Sequence, residues 1–398
     1  MSEKLINLNP DLKRLRDEGY ELEINNGYLV LHSIPYVTSA REVALGTLVS
    51  ALELTGDTVR KPSDHQVWFS GEHPCQSDGR ILSGVVNSSA TQVLSPGIQV
   101  DHHFSNKPPE GYADYYDKMT RYADILSHQA RAINPNATAQ TFKPVQSVEG
   151  NGVFHYFDTA SSRAGLSNLA LKCAMRRIAI VGLGGTGSYT LDLIAKTHVA
   201  EIHLYDGDAF CSHNAFRAPG AASLEVLQSA PSKVEYFASM YSQMRTGIVP
   251  HPFFIDEESL AELDGCDFVF LCVDKPSVRR LISEYLTTHQ IPFIDVGMDL
   301  EYVEEDQSVI GVCRVTMSTE KKHDHFRKHV SLGEGTTDDI YASNIQIADM
   351  NALNASLAVI KWKKFCTFYQ DQFAEFQSVY SLNTHHLSRD ETAEEHGD

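Results

Sequence analysis

The chain has 398 residues, 42% of them hydrophobic, which is enough for two domains with buried cores. Its formal net charge of −19 excludes nucleic acid and anionic membranes as expected partners, since both select basic surfaces. No run of about 18 apolar residues occurs, Met1 to Leu5 opens no signal-peptide core, and seven cysteines without a C-x-x-C pair read as reduced cytoplasmic thiols.

Taken in order, residues 1–150 form a smaller α+β domain. Leu8, Leu12 and Leu15 suggest a short opening helix, Tyr28 to Leu31 a strand, and Pro35 an interruption of the next run. The pattern from Val43 to Leu54 fits helix or strand equally. Two polar clusters, His65 to Cys75 and Asp101 to Ser105, match no standard ligand spacing and read as satisfied loop residues. Tyr112, Tyr115, Met119, Tyr122, Leu126 and Ile133 keep helical spacing, the stripe of a core-facing helix. No catalytic constellation stands out in this half, which points to partner binding. Residues 134–152 read as a linker, from Asn134-Pro135-Asn136 to Gly150-Asn151-Gly152.

The stretch 176–217 organises the remainder. The apolar run Ile178 to Val181 ends in Gly182-Leu183-Gly184-Gly185-Thr186-Gly187, and helical spacing follows through Thr190, Leu193 and Ile194. A second run, Ile202 to Tyr205, ends at Asp206. Strand, glycine turn, helix and strand make a nucleotide-binding context. Glycines admit phosphate to the backbone N–H groups, the next helix N-terminus favours its charge, and the acid at the second strand's end can accept from a ribose. Beyond lie Asp208, Asn214 and Arg217, a second acid, an amide and a guanidinium suited to additional phosphates. Lys233 opens a helical segment from Pro231 to Met244. Phe253 to Ile255 reads as a short strand, and Phe268 to Val273 as a buried one ending at Asp274, with Arg279 in the following helix. An acid at that strand end lies at the ligand crevice of an open parallel sheet, and could equally cap the helix ahead of Pro276. With Pro292 to Val296 as another strand, the alternation gives an α/β fold with a doubly wound, mostly parallel Rossmann-like sheet.

The glycine loop, D-x-D (Asp206, Asp208), N-x-x-R (Asn214, Arg217), lysine (Lys233) and distal D-x-x-x-x-R (Asp274, Arg279) together resemble the ThiF/MoeB family, whose fold ubiquitin-activating enzymes share. The resemblance covers residues 155–365 or so. It implies that ATP binds through Gly182, Gly184, Gly185, Gly187, Asp206, Asp208, Asn214 and Arg279. It further implies that Arg217 and Lys233 act on the phosphates, that Asp274 holds Mg²⁺, and that Arg163 reaches the neighbouring subunit's nucleotide in a homodimer. Two departures stand out: Ala218-Pro219-Gly220 replaces the usual glutamine after the arginine, and Lys233 lies farther from Arg217 than is usual. The C-x-x-C pairs that hold a structural zinc in many relatives are missing, so no such zinc is expected.

The implied reaction is adenylation of the C-terminal carboxylate of a ubiquitin-like protein. The N-terminal half resembles a domain fused ahead of such modules in bacteria, which suits a conjugation pathway with a conjugating-enzyme-like acceptor. A second step stays open. The enzyme stops at the adenylate, or uses Cys313 in the strand-like run Ser308 to Met317, or forms an oxyester on a loop hydroxyl. Ser343, before the helix Asn344 to Lys364, is the foremost hydroxyl. Residues 384–398 read as a mobile acidic tail, leaving 151–383 as the adenylation domain. The rival readings are an NAD-dependent oxidoreductase and a non-catalytic scaffold for a ubiquitin-like partner.

Overall fold

The computed structural model describes residues 2–145, 152–332 and 345–392. Two compact units divide the chain, Met1–Ser167 and Asn168–Asp398. Of the segment expected with the adenylation domain, residues 152–167 fall in the first unit, where Phe157 lies against its core and Ser162 Oγ donates to Asp17 Oδ1 at 3.1 Å.

In the first unit, helices α1 (Ser2–Leu8) and α2 (Pro10–Asp17) precede a six-stranded antiparallel sheet in the order β1-β2-β3-β6-β8-β7. Its strands are β1 (Glu21–Asn25), β2 (Tyr28–Val37), β3 (Val43–Ala51), β6 (Gln66–Ser70), β7 (Val86–Ser95) and β8 (Ile98–Ser105); β4 (Leu54–Thr55) and β5 (Thr58–Val59) form a separate small hairpin. The ambiguous run from Val43 is therefore a strand. Pro35 does not break β2: it follows a register shift between Leu31 and Ile34 and lies beyond the end of the pairing with β1, which stops at His32. Helix α3 (Tyr115–Arg131), capped by the Asp114 carboxylate accepting from Asp117 N, lays Tyr115, Met119, Tyr122 and Leu126 against the sheet. The short α4 (Thr159–Arg163) and α5 (Ser167–Ala170) lead towards the second unit.

There the sheet has eight strands in the order β11-β10-β9-β12-β13-β14-β15-β16. The first five, β11 (Ile248–His251), β10 (Glu201–Tyr205), β9 (Arg177–Val181), β12 (Phe268–Leu271) and β13 (Phe293–Val303), are parallel. The last three, β14 (Ser308–Ser318), β15 (Glu375–Ser381) and β16 (His386–Thr392), continue antiparallel. Both faces of the central strands are buried, as parallel strands require. Ile178, Ile180, Phe268 and Phe270 face one core and Ala179, Val181, Val269 and Leu271 the other. Helices α6 (Gly185–Ile194), α9 (Lys233–Tyr241) and α12 (Ala348–Phe365) supply the first core, and α10 (Pro276–Thr288) the second. Short helices α7 (Ser212–Ala215), α8 (Leu224–Ser229) and α11 (Phe326–His329) complete the unit.

Two expectations need correction here. The strand placed at Phe253–Ile255 is β11, which ends at His251, and Phe253 and Phe254 follow it outside any strand. The stretch expected as a mobile tail contains β16, whose backbone pairs with β15 from Ser381↔His386 to Glu375↔Thr392. A polar edge strand needs no apolar run when its ladder supplies the hydrogen bonds. No described helix is long and apolar enough to cross a membrane.

Candidate active site

From β9 the chain runs to one side of the sheet through β10 and β11, then returns to β12 on the other, so the strand order reverses between β9 and β12. Ligand crevices of open α/β sheets form outside the carboxyl ends at such a point. A cleft of about 1080 Å³ opens there, reached by Gly182, Gly184, Gly185, Asp206, Asp208, Arg217, Lys233, Asp274 and Arg279. Nine of the sequence-identified residues thus meet on one cleft.

The glycines divide into two jobs. Gly182 has φ +90°, and a Cβ there would lie 2.7 Å from the Cys272 carbonyl oxygen, so this position presses the loop against the end of β12. Gly187 likewise packs on the Gly182 carbonyl, beneath the loop rather than on the cleft wall. Gly184 differs: it is the N-cap of α6, makes no side-chain cap bond, and a Cβ there would meet nothing within 4 Å. That leaves room for ligand atoms against the uncapped N–H groups of the helix.

Asp206, 5% exposed at the end of β10, accepts from Leu183 N at 2.7 Å through Oδ2 and from Asp208 N at 2.9 Å through Oδ1. Its carboxylate thereby pins the glycine loop. Lys233, on the first turn of α9, donates to Asp208 Oδ2 at 2.6 Å and to both Asp206 oxygens at 3.3 Å. Its longer spacing from Arg217 therefore does not keep it from the site. Burial pulls the Arg217 guanidinium below its ordinary value, opposed by Asp274 and Asp208, and its buried Nε has no hydrogen-bond partner among the described residues. Such an orphaned donor on a cleft wall fits an anionic ligand. Asp274 is exposed and is not a helix cap, since the N-cap of α10 is Lys275 with Pro276 after it. Among the described residues no group of three or more His, Cys, Asp or Glu could hold a metal. A cation at Asp274 would thus take its other ligands from phosphate oxygens and water, the usual arrangement for Mg²⁺.

Other expected residues lie elsewhere. Asn214 turns inward on α7, its Oδ1 accepting from Cys211 N at 2.9 Å while its buried Nδ2 lacks a partner among the described residues. Arg163 sits on the first unit, donating to the Asp17 carbonyl at 2.9 Å with its guanidinium 5.5 Å from the Phe142 ring centre. Cys313 is fully buried in β14, and burial pushes its thiol up to about 12. An enclosed thiol held protonated is poorly placed to attack a substrate. Ser343 lies outside the described residues.

Several residues on the cleft or behind its wall were missed by motif reading. Phe254 packs over Gly207, where a Cβ would lie 2.8 Å from its ring, and Lys275 Nζ stands 5.9 Å from the ring centre. Asp295, fully buried in β13, accepts from Arg279 Nε at 2.8 Å and from Arg314 Nη2. The available signal was a lone acid inside the apolar strand Phe293-Ile294-Asp295-Val296, which demands a cationic partner.

A family described as a domain of unknown function (DUF6791) matches residues 10–159, and the ThiF family matches residues 163–396. No curated protein matches by sequence. Among solved structures, the chain is similar to E. coli MccB with MccA-N7isoASN at 17% identity, covering 58% of this chain and 71% of that one, with TM-score 0.46. E. coli MccB with ATP gives 16% identity, 57% and 67% coverage and TM-score 0.44; PaaA gives 13%, 86% and 98%, and 0.44. With more than half its length matched and the glycine loop, Asp206, Arg217, Lys233 and Asp274 gathered on one cleft, the chain belongs to the ThiF family of adenylyltransferases.

Proposed function

We propose that the protein uses ATP to adenylate the C-terminal carboxylate of a ubiquitin-like protein. One observation carries the reading: Arg217, Lys233 and the open helix N-terminus at Gly184 converge on a single cleft beside Asp274. Five cations, Arg217, Lys233, Lys275, Arg279 and Arg314, line it beside five aspartates, so three linked phosphates call for a divalent cation as well.

In the reaction a carboxylate oxygen bonds to the α-phosphorus while the bond from that phosphorus to the bridging oxygen of the β-phosphate breaks. Pyrophosphate leaves with the electron pair, and an acyl adenylate remains. No protein group needs to form a covalent bond, so rate enhancement comes from alignment and charge stabilisation. The N–H groups at Gly184 and Gly185 cradle phosphate, and Asp206 accepts from the ribose. The Arg217 Nε donates to phosphate oxygen. Lys233, already steered by Asp206 and Asp208, offers its remaining field to the leaving group. Asp274 would hold Mg²⁺, which supplies further charge neutralisation.

In this scheme the protein is a cytoplasmic homodimer in a bacterial conjugation pathway. Its N-terminal unit binds partners, and a conjugating-enzyme-like protein takes the acyl group. Pyrophosphate–ATP exchange stimulated by candidate ubiquitin-like proteins tests the reading. ATP binding without exchange for any candidate would favour a scaffold, and binding of NAD in place of ATP would favour an oxidoreductase.

A further inference from the structure

We infer that the wall of this cleft built by β13, β14 and α12 docks a peptide's carboxyl terminus. Arg314 binds the carboxylate there, and Asn354 accepts a backbone N–H. The inference rests on the adenylation reading and assigns its acceptor side to named residues.

Charge comes first. Asp295 is fully buried and is shared by two guanidiniums, Arg279 and Arg314, both of which reach the cleft. One carboxylate against two cations leaves one positive charge uncompensated in a poorly hydrated place, and an anion in the cleft restores the balance. Arg279 is further committed, donating through Nη2 to the Val273 carbonyl at 2.6 Å. Arg314 uses one N–H on Asp295 and one on Thr316, which leaves three of its five donors for a ligand on the cleft it lines. Asp299 also lies on this wall, exposed, and no ion pair joins it to Arg314 among the described residues.

Hydrogen-bonding capacity then separates a peptide end from a phosphate. Asn354 is fully buried on α12, and its Nδ2 donates to the Gly297 carbonyl at 3.0 Å, which fixes the amide's orientation. Its Oδ1 is left buried without a partner among the described residues, as is Gln346 Oε1 on the same cleft. Orphaned acceptors call for N–H donors. Phosphate has none, whereas a peptide backbone carries one beside its carboxylate. Gly297 brings the two features together, since it stands opposite Arg314 in register and a Cβ there would lie 2.7 Å from the guanidinium.

The test uses the full chain, saturated with an ATP analogue whose α–β bridge is a methylene so that the acid cannot be adenylated, and two synthetic peptides ending in Gly-Gly, one with a free carboxylate and one with a C-terminal amide. Calorimetric titration should show the acid binding about tenfold to a hundredfold tighter than the amide. R314M should erase that preference and R314K should restore part of it. Asp295 keeps Arg279 in both variants, so the buried acid is not orphaned. N354L should weaken acid and amide by similar factors, because the N–H contact is common to both. Equal affinity of acid and amide for the wild type, persistence of the preference in R314M, or no saturable binding of either peptide overturns the subsite. ATP titration of the wild type alone reports separately on the adenylation reading, and the acid-to-amide ratio is also measured without nucleotide.

Discussion

Replacing Gly182 with alanine separates the folding role of the glycine loop from its binding role. At φ +90° an alanine is strained by about 1–2 kcal/mol. Its Cβ would also stand 2.7 Å from the Cys272 carbonyl oxygen and 3.2 Å from Val273 N, both backbone atoms, so the loop and the end of β12 must part. Overpacking of this kind adds about 1–3 kcal/mol, for a total of about 2–5 kcal/mol. In a unit of this size that lowers the melting temperature by roughly 4–20 °C. The displacement falls two residues before Asp274, so ATP affinity should drop together with stability. G184A is the control, since its Cβ meets nothing and its only cost is a poorer cap, about 1 kcal/mol or less. It should melt within a few degrees of wild type yet bind ATP about tenfold or more weakly, because the methyl occupies the phosphate approach. Scanning calorimetry and ATP titration of both variants read the contrast. A G182A chain that melts within about 2 °C of wild type, or a G184A chain with undiminished ATP affinity, would refute this division of labour.

Lys118 in the first unit donates to Ser50 Oγ at 3.0 Å, and burial pulls it down to about 8 from an ordinary 10.5. Between pH of about 8 and 10 the unfolded chain therefore holds more protons, so stability rises with pH; K118M should abolish that rise in parallel melts. His203 Nδ1 and His251 Nε2 lie 2.9 Å apart, and burial lowers both rings. Stability should fall as pH drops below about 6.5, and H251Q should flatten that acid limb of the melting profile. C313A should retain pyrophosphate–ATP exchange at near wild-type rate, with a stability loss of about 1 kcal/mol by denaturant unfolding. Exchange reports only the adenylation step, so a thiol-labile acyl adduct present in the wild type and lost in C313A would return that thiol to the chemistry.

What the sequence revealed was local in kind. The loop from Gly182 to Gly187 and the acids at Asp206 and Asp274 are set by neighbouring strand and helix patterns, and these stand in the cleft or directly beneath it. The Asp295 cluster was not legible, because Arg279 and Arg314 reach it from a helix and an antiparallel strand that no spacing rule connects. Arg163, given its role by family position, donates within the first unit to the Asp17 carbonyl and lies beside the Phe142 ring. The run from Val43 hid its strand identity because a short apolar segment suits either period, and sheet partners on both sides decided it. Strand β16 was hidden by its own chemistry, a polar set with Leu387 as its one aliphatic residue.

That outer strand also guards its neighbour. Were the polypeptide severed near Thr384, the ladder now closed from Glu375 to Ser381 would lie open along a side rich in Phe376, Val379 and Tyr380. Unsated amides on such a rim invite a second molecule to add itself in place of the lost segment. A shortened protein would then clump for reasons unrelated to its chemistry, and inactivity in such a sample would be mistaken for a catalytic defect.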